Sequence, residues 1–264
     1  MQITTGTRAL VTGANGGIGS SIARALHAAG ATVVVSGRRA DAVQPLAREL
    51  GAAMLLVDLA DRSAVARCMD EAGPIDILVA NAALPASGPL LDFEPEQIDR
   101  ALDVNLRAPI FMARAAARDM RARGRGQIVF ISSVSGKVAA PGTSIYSATK
   151  FGLRGFALGL REDLHGTGVG VTTIYPGFIR DAGMFADTKV TLPRGVGTRS
   201  PDEVANAVMR AVRDNPAEIT VAAFEQAFGA RLAGINHSLV TSIQRRLGGT
   251  TVAEQIAAAQ AHKR

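Results

Sequence analysis

A tyrosine and a lysine four residues apart, in Tyr146-Ser147-Ala148-Thr149-Lys150, are the first pair in this chain whose types and spacing suggest chemistry. The stretch around them reads as helical, and residues at that spacing share a helix face. A free phenol ionises near pH 10, too high for a base at neutral pH. One adjacent cation lowers an acidic pKa by roughly 1–3 units, so the lysine is expected to pull the phenol down and a second positive charge to complete the shift. In the opposite direction the same phenol would donate its proton to a forming alkoxide. A Tyr and a Lys at this spacing also occur by chance on many helices. Ser133, thirteen residues before Tyr146, follows an apolar run ending in Ile131, and its hydroxyl can hold a carbonyl oxygen. Ser132 and Ser135 are rivals on local grounds, because polar loop residues commonly cap turns. Asn105, after Asp103-Val104, interrupts a helical pattern; it can expose a carbonyl, position a water or simply mark a kink.

A second group of residues suits phosphate. The strand-like run Arg8–Thr12 enters Thr12-Gly13-Ala14-Asn15-Gly16-Gly17-Ile18-Gly19, which opens a helix. A glycine turn between strand and helix brings backbone N–H groups to a pyrophosphate, and the helix N-terminus adds partial positive charge. Gly13, Asn15, Gly17, Ile18 and Gly19 are therefore candidate dinucleotide contacts. The glycines fit two spacings, T-G-x-x-x-G-x-G through Gly13, Gly17 and Gly19, or G-x-x-G-x-x-G through Gly13, Gly16 and Gly19. The next strand ends in Ser36-Gly37-Arg38-Arg39, with no carboxylate to accept the ribose hydroxyls of NAD. Arg38 can grip a 2′-phosphate through paired donors, which favours NADP, with NAD possible. A charged hydrogen bond worth about 1.5–3 kcal/mol would give a tenfold to hundredfold preference. The alternative is two arginines solvating a loop. Asp58, closing a third strand, can accept from the adenine amine or begin a helix cap.

The elements that must position these residues follow from apolar period and punctuation. Strands are expected at Thr32–Ser36, Met54–Val57, Ile75–Val79, Gln127–Ile131, Val169–Tyr175 and Glu218–Val221. Helices are expected at Ile18–Ala29, Asp41–Leu50, Asp61–Ala72, one or two within Gln97–Arg123, and Thr143–Leu164. Ser200-Pro201-Asp202-Glu203 has the form of a capping box at the start of another. Such alternation predicts an α/β fold, a doubly wound Rossmann-type parallel sheet with a C-terminal helical extension. Residues 1–223 would form the dinucleotide-binding and catalytic part, and 224–264 an extension of the same domain. Within the first part, 178–199 reads as a substrate lid, with Phe178, Met184, Phe185, Val190 and Leu192 among Gly183, Gly195 and Gly197. Arg180 and Arg194 would also admit an acidic group. From Phe224, apolar residues Phe228, Leu232, Ile235, Leu239, Ile243 and Leu247 suggest one long amphipathic helix packing on the domain or on a second subunit. Arg245 and Arg246 at its end allow contact with an anionic membrane, ranked below packing.

Composition narrows the classes. A single cysteine, Cys68, excludes an internal disulfide and any multi-thiolate zinc site. The four histidines show no paired ligand spacing, so no metal is expected. Apolar runs such as Ala52–Val57 are far shorter than the ~20 residues that span a bilayer. Met1 to Gly6 carries no basic region followed by an apolar run, which points to a cytoplasmic protein. Of 29 basic residues 25 are arginine, yet with nine Phe, two Tyr and no Trp there are few stacking platforms for nucleic acid. Six arginines between Arg107 and Arg125 read as a solvated face and a subunit-contact helix.

Taken together, the glycine turn, the Asn81 segment, Asn105, Ser133, Tyr146-x-x-x-Lys150 and Pro176-Gly177 resemble the compact, single-domain branch of the short-chain dehydrogenase/reductase family. The resemblance runs from about Thr7 through Val221. It implies Ser133, rather than Ser132, as the carbonyl-holding serine. It further implies Tyr146 as acid/base, Lys150 on the nicotinamide ribose, and Asn105 supporting a water-linked proton relay. Asn81 would help form the cofactor floor, and backbone near Ile179 would meet the nicotinamide carboxamide. Two positions depart from the family pattern: Ala83 stands where a glycine is common, and Asp181 where a threonine often contacts the carboxamide. The expected function is an NADP-preferring oxidoreductase interconverting a carbonyl and a secondary alcohol on a partly lipophilic small molecule, as a homodimer or homotetramer. The alternatives are a nucleotide-sugar epimerase or dehydratase, and a non-catalytic NADP-sensing regulator.

Overall fold

Strands that lie inside a parallel sheet are covered on both faces and so read as continuous apolar runs. Residues Ile77–Ala80 and Gly126–Ile131 are buried at every position, as this requires. The structure is a computed structural model that describes residues 1–192, 196–234, 236, 238 and 249–260. In chain order the strands are β1 (Arg8–Thr12), β2 (Thr32–Gly37), β3 (Ala53–Leu56), β4 (Ile77–Ala80), β5 (Gly126–Ile131), β6 (Val169–Pro176) and β7 (Glu218–Val221). The helices between them are α1 (Gly17–Ala28), α2 (Ala40–Leu50), α3 (Arg62–Ala72), α4 (Pro95–Leu102), α5 (Ala108–Ala122), α6 (Ser144–Asp163), α7 (Pro201–Asp214) and α8 (Phe224–Ala233). A last described helix covers Gly249–Gln260.

All pairings in the sheet are parallel, in the order β3-β2-β1-β4-β5-β6-β7. The winding reverses between β1 and β4, and in such sheets a crevice opens beyond the C-terminal ends of the strands at that point. Alternate strand residues feed two cores. Val11, Val35, Val79 and Val129 pack under Ile22 and Leu26 of α1, Val43 and Leu46 of α2, and Val204 and Val208 of α7. Leu10, Leu78, Ile128 and Phe130 pack under Met69 of α3, Met112 and Met120 of α5, and Leu153 of α6.

Local signals account for the helix ends. Ser200 and Glu203 close the expected capping box on α7, with Glu203 N–H donating to Ser200 Oγ at 3.2 Å and Ser200 N–H to Glu203 Oε2 at 2.7 Å. The stretch from Gln97 to Arg123 is two helices joined by a π-helical turn, Asp103–Arg107, in which Asn105 sits. The C-terminal expectation needs correction. The helix that begins at Phe224 ends at Ala233, and its buried face is Ala230 and Ala233. Phe224 and Phe228 instead stack on each other at 5.9 Å and are 79% and 57% exposed. Ile235, Leu239, Ile243, Arg245, Arg246 and Leu247 lie outside the described residues. Among the described residues no helix is long and apolar enough to cross a membrane.

Candidate active site

The crevice at the reversal of winding is a cleft of about 860 Å³ running from the α1 N-terminus to Tyr146 and on to the last described helix. Its floor is tied by one hydroxyl. Thr12 Oγ1 accepts the N–H groups of Asn81 and Ala82, each at 3.0 Å. Asn81 Nδ2 returns hydrogen bonds to the carbonyls of Thr12 and Gly13 at 2.9 and 3.2 Å, joining the end of β4 to the glycine turn.

The glycine spacing is decided here by space. A Cβ on Gly13 (φ +62°) would lie 2.9 Å from Ala82 Cα, one on Gly17 would lie 1.9 Å from Ala182 Cβ, and one on Gly19 would lie 2.3 Å from the Gly13 carbonyl. At Gly16 the nearest atom would be 3.5 Å away, an ordinary contact. The positions closed to a side chain are thus Gly13, Gly17 and Gly19, the T-G-x-x-x-G-x-G form. No side chain caps α1, and no acidic residue occupies its first turn. Open N–H groups and an uncompensated dipole at a side-chain-free turn suit a pyrophosphate.

At the end of β2, Gly37 has no room for the carboxylate of an NAD binder. A Cβ there would lie 2.7 Å from both Asn15 Oδ1 and Val43 Cγ2. Arg38 and Arg39 both line the cleft. Arg39 pairs with Asp41 at 3.9 Å, whereas Arg38 has no carboxylate within ion-pair distance among the described residues and acts on Asp58 through its charge. Asp58 also lines the cleft but does not cap α3. Asp61 does, accepting from Ser63 N–H at 2.8 Å and Ala64 N–H at 3.2 Å. Burial pulls the Asp58 carboxyl pKa up, but the Ala60 N–H and Arg100, whose Nη2 is 2.9 Å away, outweigh it and leave it lowered. Arg100 comes from α4, with no local sequence signal to connect it to Asp58.

Ser133, Tyr146 and Lys150 converge where β5 ends and α6 begins. Ser133 starts a short 3₁₀ turn, its Oγ accepting the Ser135 N–H at 3.1 Å, and it lines the cleft together with Tyr146. Ser132 is committed elsewhere, its Oγ donating to the Lys150 carbonyl at 3.3 Å in the core. That separates two serines that are rivals on local sequence grounds. A Cβ on Gly136 would lie 2.8 Å from both that carbonyl and Ser132 Oγ, so the turn packs directly on α6. Lys150 is 2% exposed, with Nζ donating to the Ile131 carbonyl at 3.1 Å and lying 5.6 Å from the Tyr146 ring centre.

The expected lowering of the tyrosine is not present in the protein by itself. Burial pushes the Tyr146 phenol up to about 12, with the nearby Ser133 hydroxyl only partly opposing it. Burial likewise brings the Lys150 ammonium down to about 8. Desolvation leads at both groups, and the lysine's proton is directed at the Ile131 carbonyl.

Asn105 is 1% exposed, and its side chain does not face the cleft. Oδ1 accepts the Leu84 N–H at 2.7 Å and Nδ2 donates to the Leu84 carbonyl at 3.0 Å. The amide clamps the loop after β4, and the kink at Asn105 is the π turn, a feature common near functional sites.

Both departures from the expected pattern have local explanations. Ala83 is not among the positive-φ residues, so no glycine freedom is lost there. Asp181 has φ +70° and a mostly exposed side chain paired with Arg180 at 3.3 Å. Arg180 does not line the cleft, and Arg194 lies outside the described residues, so the acidic-group contact suggested for them has no support from the described structure. Ile179 does line the cleft. It bridges Arg199 through neighbouring groups, Arg180 N–H to the Arg199 carbonyl and Arg199 N–H to the Phe178 carbonyl, both at 2.9 Å. Its own N–H and C=O have no partner among the described residues. Phe178 and Phe185 pack with ring centres 4.7 Å apart over the same cleft. Sequence reasoning missed Gln226, which accepts the Phe178 N–H at 3.1 Å and donates to the Gly197 carbonyl at 2.7 Å. It also missed Ile256 and Gln260, which reach the cleft from the last helix.

Comparison with known proteins agrees with this geometry. The family pattern described as short chain dehydrogenase matches residues 7–191. A ketoacyl reductase, HetN, from Nostoc sp. is 34% identical over 230 residues, covering 84% of this chain and 80% of its own. A solved short chain dehydrogenase/reductase family protein superposes with a TM-score of 0.80 at 32% identity, covering 86% of this chain and all of its own. A metagenomic short-chain oxidoreductase solved in complex with NADP has a TM-score of 0.70 at 30% identity, covering 84% of this chain and 98% of its own. With the glycine turn, the Asn81 floor and the Ser133–Tyr146–Lys150 cluster assembled along one cleft, this chain belongs to the short-chain dehydrogenase/reductase family.

Proposed function

We propose that this chain is an NADP-preferring oxidoreductase that interconverts a carbonyl and a secondary alcohol on a partly lipophilic small molecule. The observation that carries the reading is that Ser133 and Tyr146 line one cleft beside buried Lys150, whose Nζ lies 5.6 Å from the Tyr146 ring centre. Arg38 would hold the 2′-phosphate, and the crowding at Gly37 disfavours the carboxylate that would select NAD. Asp58 and Asn15 would border the adenosine half; Gly13, Gly17, Ile18, Gly19 and Asn81 would form the pyrophosphate and floor contacts. Ile179 would offer its amide and carbonyl, unpaired among the described residues, to the carboxamide. The NADP-bound metagenomic relative and the ketoacyl reductase relative support this choice of cofactor and reaction class.

Hydride exchange with the carbonyl carbon is the chemistry that a bound nicotinamide supplies. Ser133 orients the carbonyl oxygen, and Tyr146 moves the proton at that oxygen. Its phenol is fully protonated at neutral pH, so the site rests ready to donate, as carbonyl reduction requires. Lys150 holds ribose and supplies the charge that a forming phenolate needs. Asn105, with its side chain committed to Leu84, would serve the relay through its main chain and the π turn. Residues 178–199 would serve as the lid, with Phe178, Phe185 and Asp187 lining the cleft, and 224–264 would extend the same domain. Exposed Leu102 and Phe111, the latter under Arg107 at 4.4 Å, would form the homodimer or homotetramer contact of a cytoplasmic protein.

The test is Tyr146→Phe, assayed by reduced-cofactor absorbance on a panel of lipophilic ketones and by NADPH fluorescence titration. Turnover is expected to fall by about 10²–10⁴-fold with NADPH affinity unchanged. Retention of more than a tenth of the wild-type turnover would contradict the assignment.

A further inference from the structure

We infer that Gln260 reads the substrate, its Oε1 accepting a hydrogen bond from a hydroxyl or amine remote from the reacting carbonyl. The inference rests on the oxidoreductase reading above and adds a substrate class to it.

Gln260 ends the last described helix, far beyond the residues that match the family pattern. It is 4% exposed and lines the cleft beside Ile256. Nε2 donates to the Met184 carbonyl at 3.0 Å, which fixes the amide, because only the nitrogen can face that oxygen. Among the described residues Oε1 is thereby left buried and without a partner. Among the described residues just one other buried side-chain polar atom lacks a partner, Ser36 Oγ. Both residues line this cleft, Ser36 at the Arg38 end and Gln260 at the lid. A buried acceptor left unpaired is costly, so in native proteins it normally has a partner. In a cleft built for two ligands, that partner is a donor brought by one of them.

The charges around Gln260 narrow the choice. Asp187 and Glu225 line the cleft too. Hydrogen bonds led by the Gly197 N–H hold the Glu225 carboxyl below its ordinary value, so it is ionised at neutral pH. Among the described lining residues the cations are Arg38, Arg39 and Arg100 towards the adenosine end, and Lys150 at the reacting centre. A carboxylate or phosphate beside Gln260 would meet acceptors and negative charge. A neutral hydroxyl or a protonated amine would satisfy Oε1.

The experiment uses the full chain and medium-chain methyl ketones ending in hydroxyl, amine, methyl or carboxylate. Wild type is compared with Gln260→Leu, Gln260→Glu and Gln255→Leu, the last an exposed control on the same helix. Wild type and the control should prefer the hydroxyl-ended over the methyl-ended ketone by about tenfold or more in kcat/KM, with the carboxylate poorest. Gln260→Leu should erase that preference, and Gln260→Glu should raise the relative rate of the amine-ended ketone. An unchanged ratio in Gln260→Leu overturns the inference. So does a tenfold loss of NADPH affinity by fluorescence with an unchanged ratio, because the donor would then be the cofactor's. Ligand-induced thermal stabilisation reads the subsite without turnover. Hydroxyl-dependent stabilisation lost in Gln260→Leu supports the subsite even if no ketone is reduced, a result that would sink the oxidoreductase reading alone. Absence of hydroxyl-dependent stabilisation in wild type sinks the subsite.

Discussion

Replacing Glu218 by alanine should loosen the reacting centre without touching it. Glu218 opens β7 and accepts three hydrogen bonds: Lys137 Nζ at 3.0 Å, Arg154 Nε at 2.8 Å and the Tyr175 hydroxyl at 2.6 Å. Lys137 closes the turn begun by Ser133, and Arg154 lies one helical turn beyond Lys150, so one carboxylate ties the serine turn and the Tyr146–Lys150 helix to the sheet. Lys137 also sits 4.0 Å over the Tyr175 ring. Burial raises the Glu218 carboxyl pKa, but Tyr175, Arg154 and Lys137 outweigh it and leave it lowered. Alanine would strand two cations and a phenol. Breaking a fully buried pair costs about 3–5 kcal/mol, and an exposed one about 0.2–1. Side-chain exposures of 16% for Lys137, 24% for Glu218 and 34% for Arg154 place this network between those limits. A loss of about 2–3 kcal/mol is expected, or roughly 5–10 °C in Tm for a chain of this length. The sign with pH follows from the lowered carboxyl. Its stabilisation is present above the unfolded carboxylate pKa and is lost as pH falls through the folded value, so the Tm gap should be flat near neutrality and close in acid. Displacement of Ser133 relative to Tyr146 should lower kcat by about tenfold at unchanged NADPH affinity. Thermal melts across pH and steady-state kinetics on Glu218→Ala and Glu218→Gln decide it, with the glutamine variant intermediate. A Tm change below about 1 °C, or a gap that persists unchanged in acid, would refute the reasoning.

Three further outcomes are expected. Lys150→Met should abolish turnover yet stabilise the cofactor-free protein by about 1–2 kcal/mol at pH 7, after allowance for the lost Ile131 bond. The lysine's folded value of about 8 lies below its ordinary 10.5, so the cost of burying its charge is full below pH 8 and fades towards 10.5. Urea melts at pH 7 and pH 10 should show the gain shrinking. Arg38→Leu should weaken NADPH binding by about tenfold to hundredfold while leaving NADH nearly unchanged, by fluorescence titration. Equal losses for both cofactors would exclude a 2′-phosphate contact. Gly17→Ala should weaken either dinucleotide at least tenfold, because its Cβ would meet Ala182 at 1.9 Å, whereas Gly16→Ala should bind normally. Similar titrations for the two variants would reject the spacing assigned to the turn.

The alternating pattern of apolar strands and helices was enough to determine the doubly wound sheet, because fully buried parallel strands and capped helices leave period and punctuation in the chain itself. The glycine turn, Arg38 at a strand end and the Tyr146–Lys150 spacing were legible for the same reason: each is a local arrangement, complete within a few residues. Local sequence left Ser132 and Ser133 as rivals and only the family resemblance preferred Ser133; the tertiary structure commits Ser132 Oγ to the Lys150 carbonyl in the core and leaves Ser133 in the turn beside Tyr146. It also chose Gly17 over Gly16, because the excluding atom belongs to Ala182, far along the chain. The raised pKa of the tyrosine in the protein by itself was not legible, because proximity of a cation can be read from spacing while desolvation depends on every element that closes over the pair. Arg100, Gln226 and Gln260 carried no signal at all. Their roles arise from where α4, α8 and the last helix land on the cleft, and a lone polar side chain gives no sign of its partner until the fold supplies one or leaves one missing.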